Sequence, residues 1–441
     1  MTPAARLSAA IEVIGTLLAE RRPAADVLKD WGRSHRFAGS GDRAALSSLV
    51  YDALRRRASA AWIMGERVGE ESPRALLLGT LRLARGLDVE AIAALCDGAR
   101  FAPEPLSADE GARLAAASLD DAPAHVRGDY PEWLDAPLAT VFGEARAEEG
   151  AALAARAPLD LRVNTLKGGV DKAARQLAHL HPVAGDWSPL ALRIALEADG
   201  KAPPLTAEPA YLKGLVEIQD EGSQIAAILA APPRGGQVLD LCAGGGGKTL
   251  ELAALMDGAG QLYAYDDDLR RLAPIHERVQ RAGAHNVQVR SPRGRGPGRE
   301  DVLEDIAGRM DLVLVDAPCT GTGTWRRNPD AKWRMRPGAL VERVKEQAEI
   351  LDAAVRFVKP GGRLAYVTCS LLDEENVGQV RAFLERHPGF RVVPPAEAVL
   401  ALGERGMALR EAALDRPEGL LLSPRRTSTD GFFVSLMVRD A

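Results

Sequence analysis

Cysteine is scarce. Four thiols (Cys96, Cys242, Cys319, Cys369) stand in 441 residues, with no CxxC pair and no HExxH. This excludes a disulfide scaffold and removes the common spacings for zinc. No apolar run reaches the 18 or more residues that cross a bilayer. Leu7–Ala19 is partly apolar, but Glu12 interrupts it. Leu7, Ile11, Ile14, Leu17 and Leu18 follow helical spacing, which predicts an amphipathic core helix and not a signal peptide. A cytoplasmic, metal-free, monomeric protein away from membranes is the expectation. Lysine is scarce too: nine of the 56 basic residues, leaving 47 Arg. The net charge of −5 argues globally against a nucleic-acid binder, so the position of the arginines matters more than their number. None of the seven His falls in a motif, which leaves a His-based mechanism unsupported. The rest of the composition, 46% apolar and 27% charged, is that of a globular chain. Its length suggests about three domains at roughly 150 residues each.

Residues 1–130 are rich in Ala and Leu. Ala44–Arg57 and Pro73–Arg85 have helical periodicity, with breaks at Gly39–Gly41 and Gly65–Ser72, so an all-α domain is expected. Residues 131–231 read as a small α+β module, with strands at Leu159–Asn164, Leu192–Leu196 and Leu215–Gln219 around a helix at Asp171–Leu180. From 232 to 441 the pattern is strand, turn, helix, repeated. Val238–Leu241, Gln261–Tyr265, Val287–Val289, Leu312–Val315 and Leu364–Val367 are short apolar strands, with helices expected at Thr249–Met256, Leu269–Arg281 and Ala339–Val358. Alternation of this kind predicts an α/β, doubly wound parallel sheet whose ligand sits at the carboxyl ends of the strands.

A run of four glycines follows the first of these strands, in Asp240-Leu-Cys-Ala-Gly-Gly-Gly-Gly-Lys248-Thr249. Glycine there lets backbone N–H groups approach a ligand. A P-loop needs Gly six residues before its Lys, where this chain has Cys242. The strand Leu312–Val315 ending at Asp316 nevertheless resembles the metal-binding strand of an NTPase, so that reading stays open. A dinucleotide fingerprint fails at its last glycine. The third reading is a site for S-adenosylmethionine (SAM), with Asp266 at the end of the second strand holding the ribose. The bland alternative is that Asp266, Asp267 and Asp268 cap the next helix.

Two cysteines lie just past strands of the same sheet. Asp316-Ala-Pro-Cys319-Thr-Gly-Thr-Gly323 follows one, and Thr368-Cys369-Ser370 follows another. A single buried Cys is usually a small hydrophobe, but two on one ligand-binding edge point to chemistry. Carbon 5 of cytosine is a poor nucleophile. Methylating it needs a thiolate to add at carbon 6, a group to stabilise the altered base, and help in the final elimination.

Asp316–Gly323 with Arg326-Arg-Asn-Pro-Asp330-Ala-Lys-Trp333, and Tyr366-Val-Thr-Cys-Ser370 with Glu374-Glu-Asn376, closely resemble the RNA cytosine-C5 methyltransferases. So do Arg162-Val-Asn164, Gln219-Asp-Glu-Gly-Ser-Gln224, the glycine turn and Asp430-Gly-Phe-Phe433. An N-terminal domain with Asp42-Arg43 and Val50-Tyr51 through Leu54-Arg55 resembles the NusB-like, RNA-binding domain of the RsmB (Sun/Fmu) type, which modifies 16S rRNA. The resemblance implies a Rossmann-like SAM-dependent catalytic domain with Cys369 as nucleophile, Cys319 assisting product release and Asp316 contacting the cytosine or holding it near the methyl donor. It implies that Cys242, Ala243, Gly244, Gly245, Gly246, Gly247 and Lys248 line the SAM site and that Asp266 holds the ribose. In DNA cytosine methyltransferases a Pro-Cys motif supplies the nucleophile, which would nominate Cys319; the Thr-Cys-Ser element favours Cys369. Two departures stand out. Gly245 occupies a position that is usually proline, and the usual Asp after the third strand is replaced by Arg290-Ser-Pro-Arg293.

RNA contacts are expected where basic and aromatic residues mix: Arg326, Arg327, Lys332 and Trp333, next to Cys319. A second basic run, Arg290, Arg293, Arg295 and Arg299, lies in a Gly- and Pro-rich loop. The target base must leave its stack, so unpaired or loop RNA is the expected substrate, rRNA first and tRNA as the alternative. An RNA-binding NTPase and a non-catalytic assembly factor are the alternatives of other classes.

Overall fold

Helix caps and apolar spacing set the first third of the chain. In the computed structural model, which describes residues 1–196, 203–292 and 301–441, Thr2 caps the helix Pro3–Glu20 by accepting from Ala5 N at 3.1 Å. Leu7, Ala10, Val13, Ile14 and Leu17 then share its buried side. Ser72 caps Pro73–Leu83 in the same way, and Ser107 with Glu110 forms a capping box on Ala108–Ala115. The helical texture runs past 130 to Arg146–Ala154. Met1–Arg156 forms one compact unit, and it takes in a second stretch, Trp325–Arg336, from far along the chain.

The other unit holds residues 157–196, 203–292, 301–324 and 337–441. Strands β1 (Leu159–Val163), β2 (Val183–Ala184), β3 (Ala191–Ile194) and β4 (Val216–Ile218) make a small antiparallel sheet in the order β2-β3-β1-β4. The large sheet has nine strands among the described residues: β5 (Gln237–Asp240), β6 (Gln261–Tyr265), β7 (Val287–Arg290), β8 (Met310–Asp316), β9 (Val358–Thr368), β10 (Phe390–Val392), β11 (Leu414–Arg416), β12 (Gly419–Leu422) and β13 (Phe432–Arg439). The order is β11-β12-β13-β9-β8-β5-β6-β7, with β10 beside β13. Strands β7, β6, β5, β8 and β9 are parallel, as the alternating pattern predicts. The flank built by β13, β12, β11 and β10 is antiparallel, which makes the sheet mixed. This is a Rossmann-like arrangement.

Val238, Leu312, Leu314, Ala365 and Val367 form the middle of its core and are fully buried. The expected helix Leu269–Arg281 is interrupted at Pro274, which lacks an N–H, giving Leu269–Leu272 and Ile275–Ala282. Because β5 pairs with β6 on one side and β8 on the other, the chain reverses its winding at β5. Crevices open at such a point.

Candidate active site

The register of β8 and β9 brings the two cysteines together. Asp316 pairs with Val367, so both strands end at one level. Ala317 N donates to Val367 O at 2.8 Å and Gly323 N to Cys369 O at 2.9 Å, folding the loop after β8 over the end of β9. At Gly323 a Cβ would lie 2.2 Å from Gly431 O, so only glycine permits this approach. Cys319 Sγ and Cys369 Sγ are 3.3 Å apart, both half-buried. Contact with Cys369 and then burial push the Cys319 thiol well above its ordinary range. Cys319 therefore stays a protonated thiol, and either sulfur can donate across the pair.

Lys248 extends from the glycine turn, but its ammonium points at the acid of the next strand. Nζ lies 2.8 Å from Asp316 Oδ2 and 4.9 Å from the centre of the Phe432 ring. Burial pulls this amine down, yet the Asp316 carboxylate outweighs it and leaves the pKa raised. Lys248 is a buried, permanently charged donor. A P-loop lysine would reach for phosphate from an open turn, so the NTPase reading loses its main support. The Asp430–Phe433 motif also gains a role: Gly431 meets Gly323, and Phe432 packs on Lys248.

Behind the two cysteines sits Glu375, fully buried. Its Oε1 accepts from Thr320 N at 2.8 Å and from Gln347 Nε2 at 2.9 Å. Its Oε2 accepts from the hydroxyls of Thr320 and Ser370. One carboxylate thus holds the residue after Cys319 and the residue after Cys369. Asn376 reinforces it by donating to Ser370 O at 2.9 Å. The sequence offered Glu374-Glu-Asn376 as a motif but no role for it. Glu375→Ala should loosen the spacing of the sulfurs and slow methyl transfer by roughly 10²-fold, with cofactor affinity retained. Single-turnover rates beside a cofactor titration check this; equal losses in both would mean general damage.

The glycine turn is fixed from two sides. Gly246 has φ +86°, and a Cβ there would lie 2.5 Å from Ile275. Gly244 N donates to Asp266 Oδ2 at 2.9 Å, and Asp268 N to Asp266 Oδ1 at 2.9 Å. Asp268 is the residue that caps Leu269–Leu272. Gly245, the position expected to lack proline's stiffness, has its carbonyl held by Arg278 Nη1 at 2.6 Å, and Arg278 is itself oriented by Glu217 at 3.0 Å. Beside the turn lies a cleft of about 1420 Å³, lined among others by Cys242, Tyr265, Asp266, Asp267 and Pro318. Of the residues expected around SAM, Cys242 and Asp266 line this cleft, and the carboxylate at the end of β6 fits ribose hydroxyls. Burial pushes the Cys242 thiol well up, so it stays neutral and lines the cleft without reacting.

Two further acids are pushed up by burial. Asp240, bonded by Thr249 Oγ1 at 2.7 Å, reaches about 7, and Glu251 about 8. Glu251 meets Gln219 Nε2 at 2.7 Å, and Gln219 Oε1 takes Arg162 Nε at 2.6 Å, which gives the Arg162 and Gln219 motifs a shared structural task. A raised carboxyl costs stability as pH climbs from the unfolded value towards the folded one. Asp240→Asn should therefore stabilise the protein more at pH 8 than at pH 5, by up to about 3 kcal/mol. Denaturant melts at the two pH values test this, and an equal effect at both would refute it.

The basic–aromatic segment needs correction. Lys332 is buried, and its ammonium donates to Arg55 O at 3.0 Å and Asp129 O at 2.5 Å. Burial pulls it down to about 7. Trp333 Nε1 donates to Leu54 O at 2.6 Å, and Arg326 is only 5% exposed. Lys332 and Arg326, expected on RNA, are buried in the helical unit, while Trp333 is half-buried with its indole N–H spent on a main-chain carbonyl. Arg327 lines one open cleft and Trp333 another. Of the second basic run, Arg293, Arg295 and Arg299 lie outside the described residues, while Arg290 pairs with Asp305 at 2.8 Å.

The family model for 16S rRNA methyltransferase RsmB/F matches residues 227–438. The ribosomal RNA small subunit methyltransferase B of Sodalis glossinidius is 34% identical over 317 residues, which is 71% of this chain and 67% of that one. The crystal structure of PH0851 aligns over 99% of both chains, with 27% identity and a TM-score of 0.70. A methyltransferase homolog protein from Pyrococcus horikoshii covers 72% of this chain and 97% of its own, with 25% identity and a TM-score of 0.56.

Proposed function

Because the chain belongs to the RsmB/F family of 16S rRNA methyltransferases, we propose that this SAM-dependent enzyme methylates carbon 5 of one unpaired cytosine of 16S rRNA through a covalent adduct with Cys369. The observation that carries the mechanism is the sulfur pair at 3.3 Å, beside the ion pair of Asp316 and Lys248. The Cys369 sulfur adds to carbon 6 of the base, and electron density moves onto the ring. Lys248, held charged by Asp316, is the donor placed to stabilise that density, and Asp316 orients the base. SAM supplies the methyl group that carbon 5 takes up. Water takes the carbon 5 proton, which restores the ring double bond as the carbon–sulfur bond breaks and the electron pair returns to Cys369. Cys319, a protonated thiol beside the leaving sulfur, assists that release. A base can reach Cys369 only after leaving its stack, which supports an unpaired or loop target.

Incubation with SAM and 16S rRNA, followed by bisulfite sequencing, tests the reading. One protected cytosine in 16S rRNA is expected. Protection confined to tRNA would overturn the substrate.

A further inference from the structure

The turn Gly244–Gly247 carries four glycines in a row, the residue type with most conformational freedom to lose, and Gly245 occupies the position that is usually proline. Gly244 (φ +49°) and Gly246 (φ +86°) are left-handed, whereas Gly245 between them is not. Among the described residues the Gly245 N–H donates to no acceptor. Its carbonyl is what is held, and the holder comes from outside the turn. Arg278 Nη1 donates to Gly245 O at 2.6 Å, and Nη2 of the same guanidinium donates to Glu217 Oε2 at 3.0 Å. Glu217 is only 2% exposed, and its other oxygen, Oε1, takes Arg281 Nη2 at 2.6 Å. It stands on β4, opposite Arg162 of β1. A guanidinium is planar and stiff. With one prong on a buried carboxylate and the other on a carbonyl, it fixes that carbonyl relative to the small sheet. The same helix, Ile275–Ala282, also sets the next residue, since a Cβ at Gly246 would lie 2.5 Å from Ile275, three positions before Arg278. Two successive residues of the turn are thus registered on one helix face.

We propose that Arg278 is a positioning residue that preorganises the glycine turn for SAM, an external clamp in place of an internal proline, with Glu217 setting its direction. The inference rests on the turn being the SAM site. A Cβ at Gly245 would lie 3.3 Å from Arg278 Nη1, so the clamp and a proline compete for one space. That competition makes them exchangeable in a test.

The test is a cycle of variants of the full chain, titrated calorimetrically with S-adenosylhomocysteine. Arg278→Gln strands no buried carboxylate, because Arg281 stays on Glu217. Its Kd should rise about tenfold, the loss of one charge-assisted bond. Gly245→Pro alone should bring no gain. Added to Arg278→Gln, where it has room, it should recover about two- to fivefold by stiffening the free turn. A merely structural arginine would not produce that reversal. KM for SAM should rise with Kd, while kcat falls far less. In cofactor-free Arg278→Gln, the Gly244 and Gly246 amides, bonded to Asp266 at 2.9 Å and Ala243 O at 2.8 Å, should exchange about tenfold faster, with Val238 and Leu239 of β5 at parental rates. Parental Kd in Arg278→Gln would overturn the proposal. So would a loss that Gly245→Pro leaves uncorrected in a folded double variant, or faster exchange spread equally into β5, which would make Arg278 a general brace. Should the double variant fail to fold, the exchange pattern of Arg278→Gln decides. A parent protein that binds no S-adenosylhomocysteine would instead count against the cofactor reading of the turn, and the proposal would fall with it.

Discussion

Cys369→Ala should abolish methyl transfer, with a fall on the order of 10⁴ or more, since the unactivated carbon 5 has no other route to nucleophilicity. Cofactor binding should survive, because the turn between β5 and the helix Gly247–Leu255 and the cleft beside Asp266 are built without that side chain. A filter assay for labelled methyl groups in 16S rRNA, with cofactor binding measured by calorimetry, separates these. Retained methylation would mean that the sulfur 3.3 Å away, that of Cys319, is the nucleophile after all.

Cys319→Ala should give the opposite phenotype. Addition to the base and methyl transfer still occur, but release is slowed by about 10²–10⁴-fold, the range for a missing proton-transfer group. The enzyme should then accumulate joined to its RNA. A denaturing gel after incubation with SAM and total RNA should show a shifted, RNase-sensitive band, absent from the Cys319→Ala/Cys369→Ala protein. Sequencing the trapped RNA would name the target. Free turnover by Cys319→Ala would leave the sulfur pair without its proposed division of labour.

The strands of the parallel half were legible because each is a short apolar run closed by a polar or glycine turn. Cys319 and Cys369 were legible because each follows such a run. The antiparallel flank was harder, since Phe432–Arg439 pairs with Val358–Thr368 across several intervening helices and Leu414–Arg416 and Gly419–Leu422 are only three and four residues long. Lys248 was assigned to the cofactor by its place in the turn; its direction towards Asp316 depends on the pairing of β5 with β8, 68 residues away along the chain. Glu375 acquires its task only from folded loops 55 residues apart. Lys332 and Trp333 misled for a general reason. Composition cannot distinguish a donor offered to phosphate from one spent on a main-chain carbonyl, and here Arg55 O, Asp129 O and Leu54 O take them.

That small stretch, Trp325–Arg336, makes the catalytic unit discontinuous in a way that bears on how the protein can be cut apart. A fragment starting at Ala157 would retain all twelve of its residues while losing Leu54, Arg55 and Asp129, to which they are bonded. It would carry an unsupported amphipathic flap with two tryptophans, and low solubility of such a fragment would say nothing about the sheet itself. Joining Thr324 to Pro337 through a short Gly-Ser bridge would be the sounder division. The same threading ties the two units by more than one peptide crossing, so proteolysis at a single junction should nick the chain without parting it.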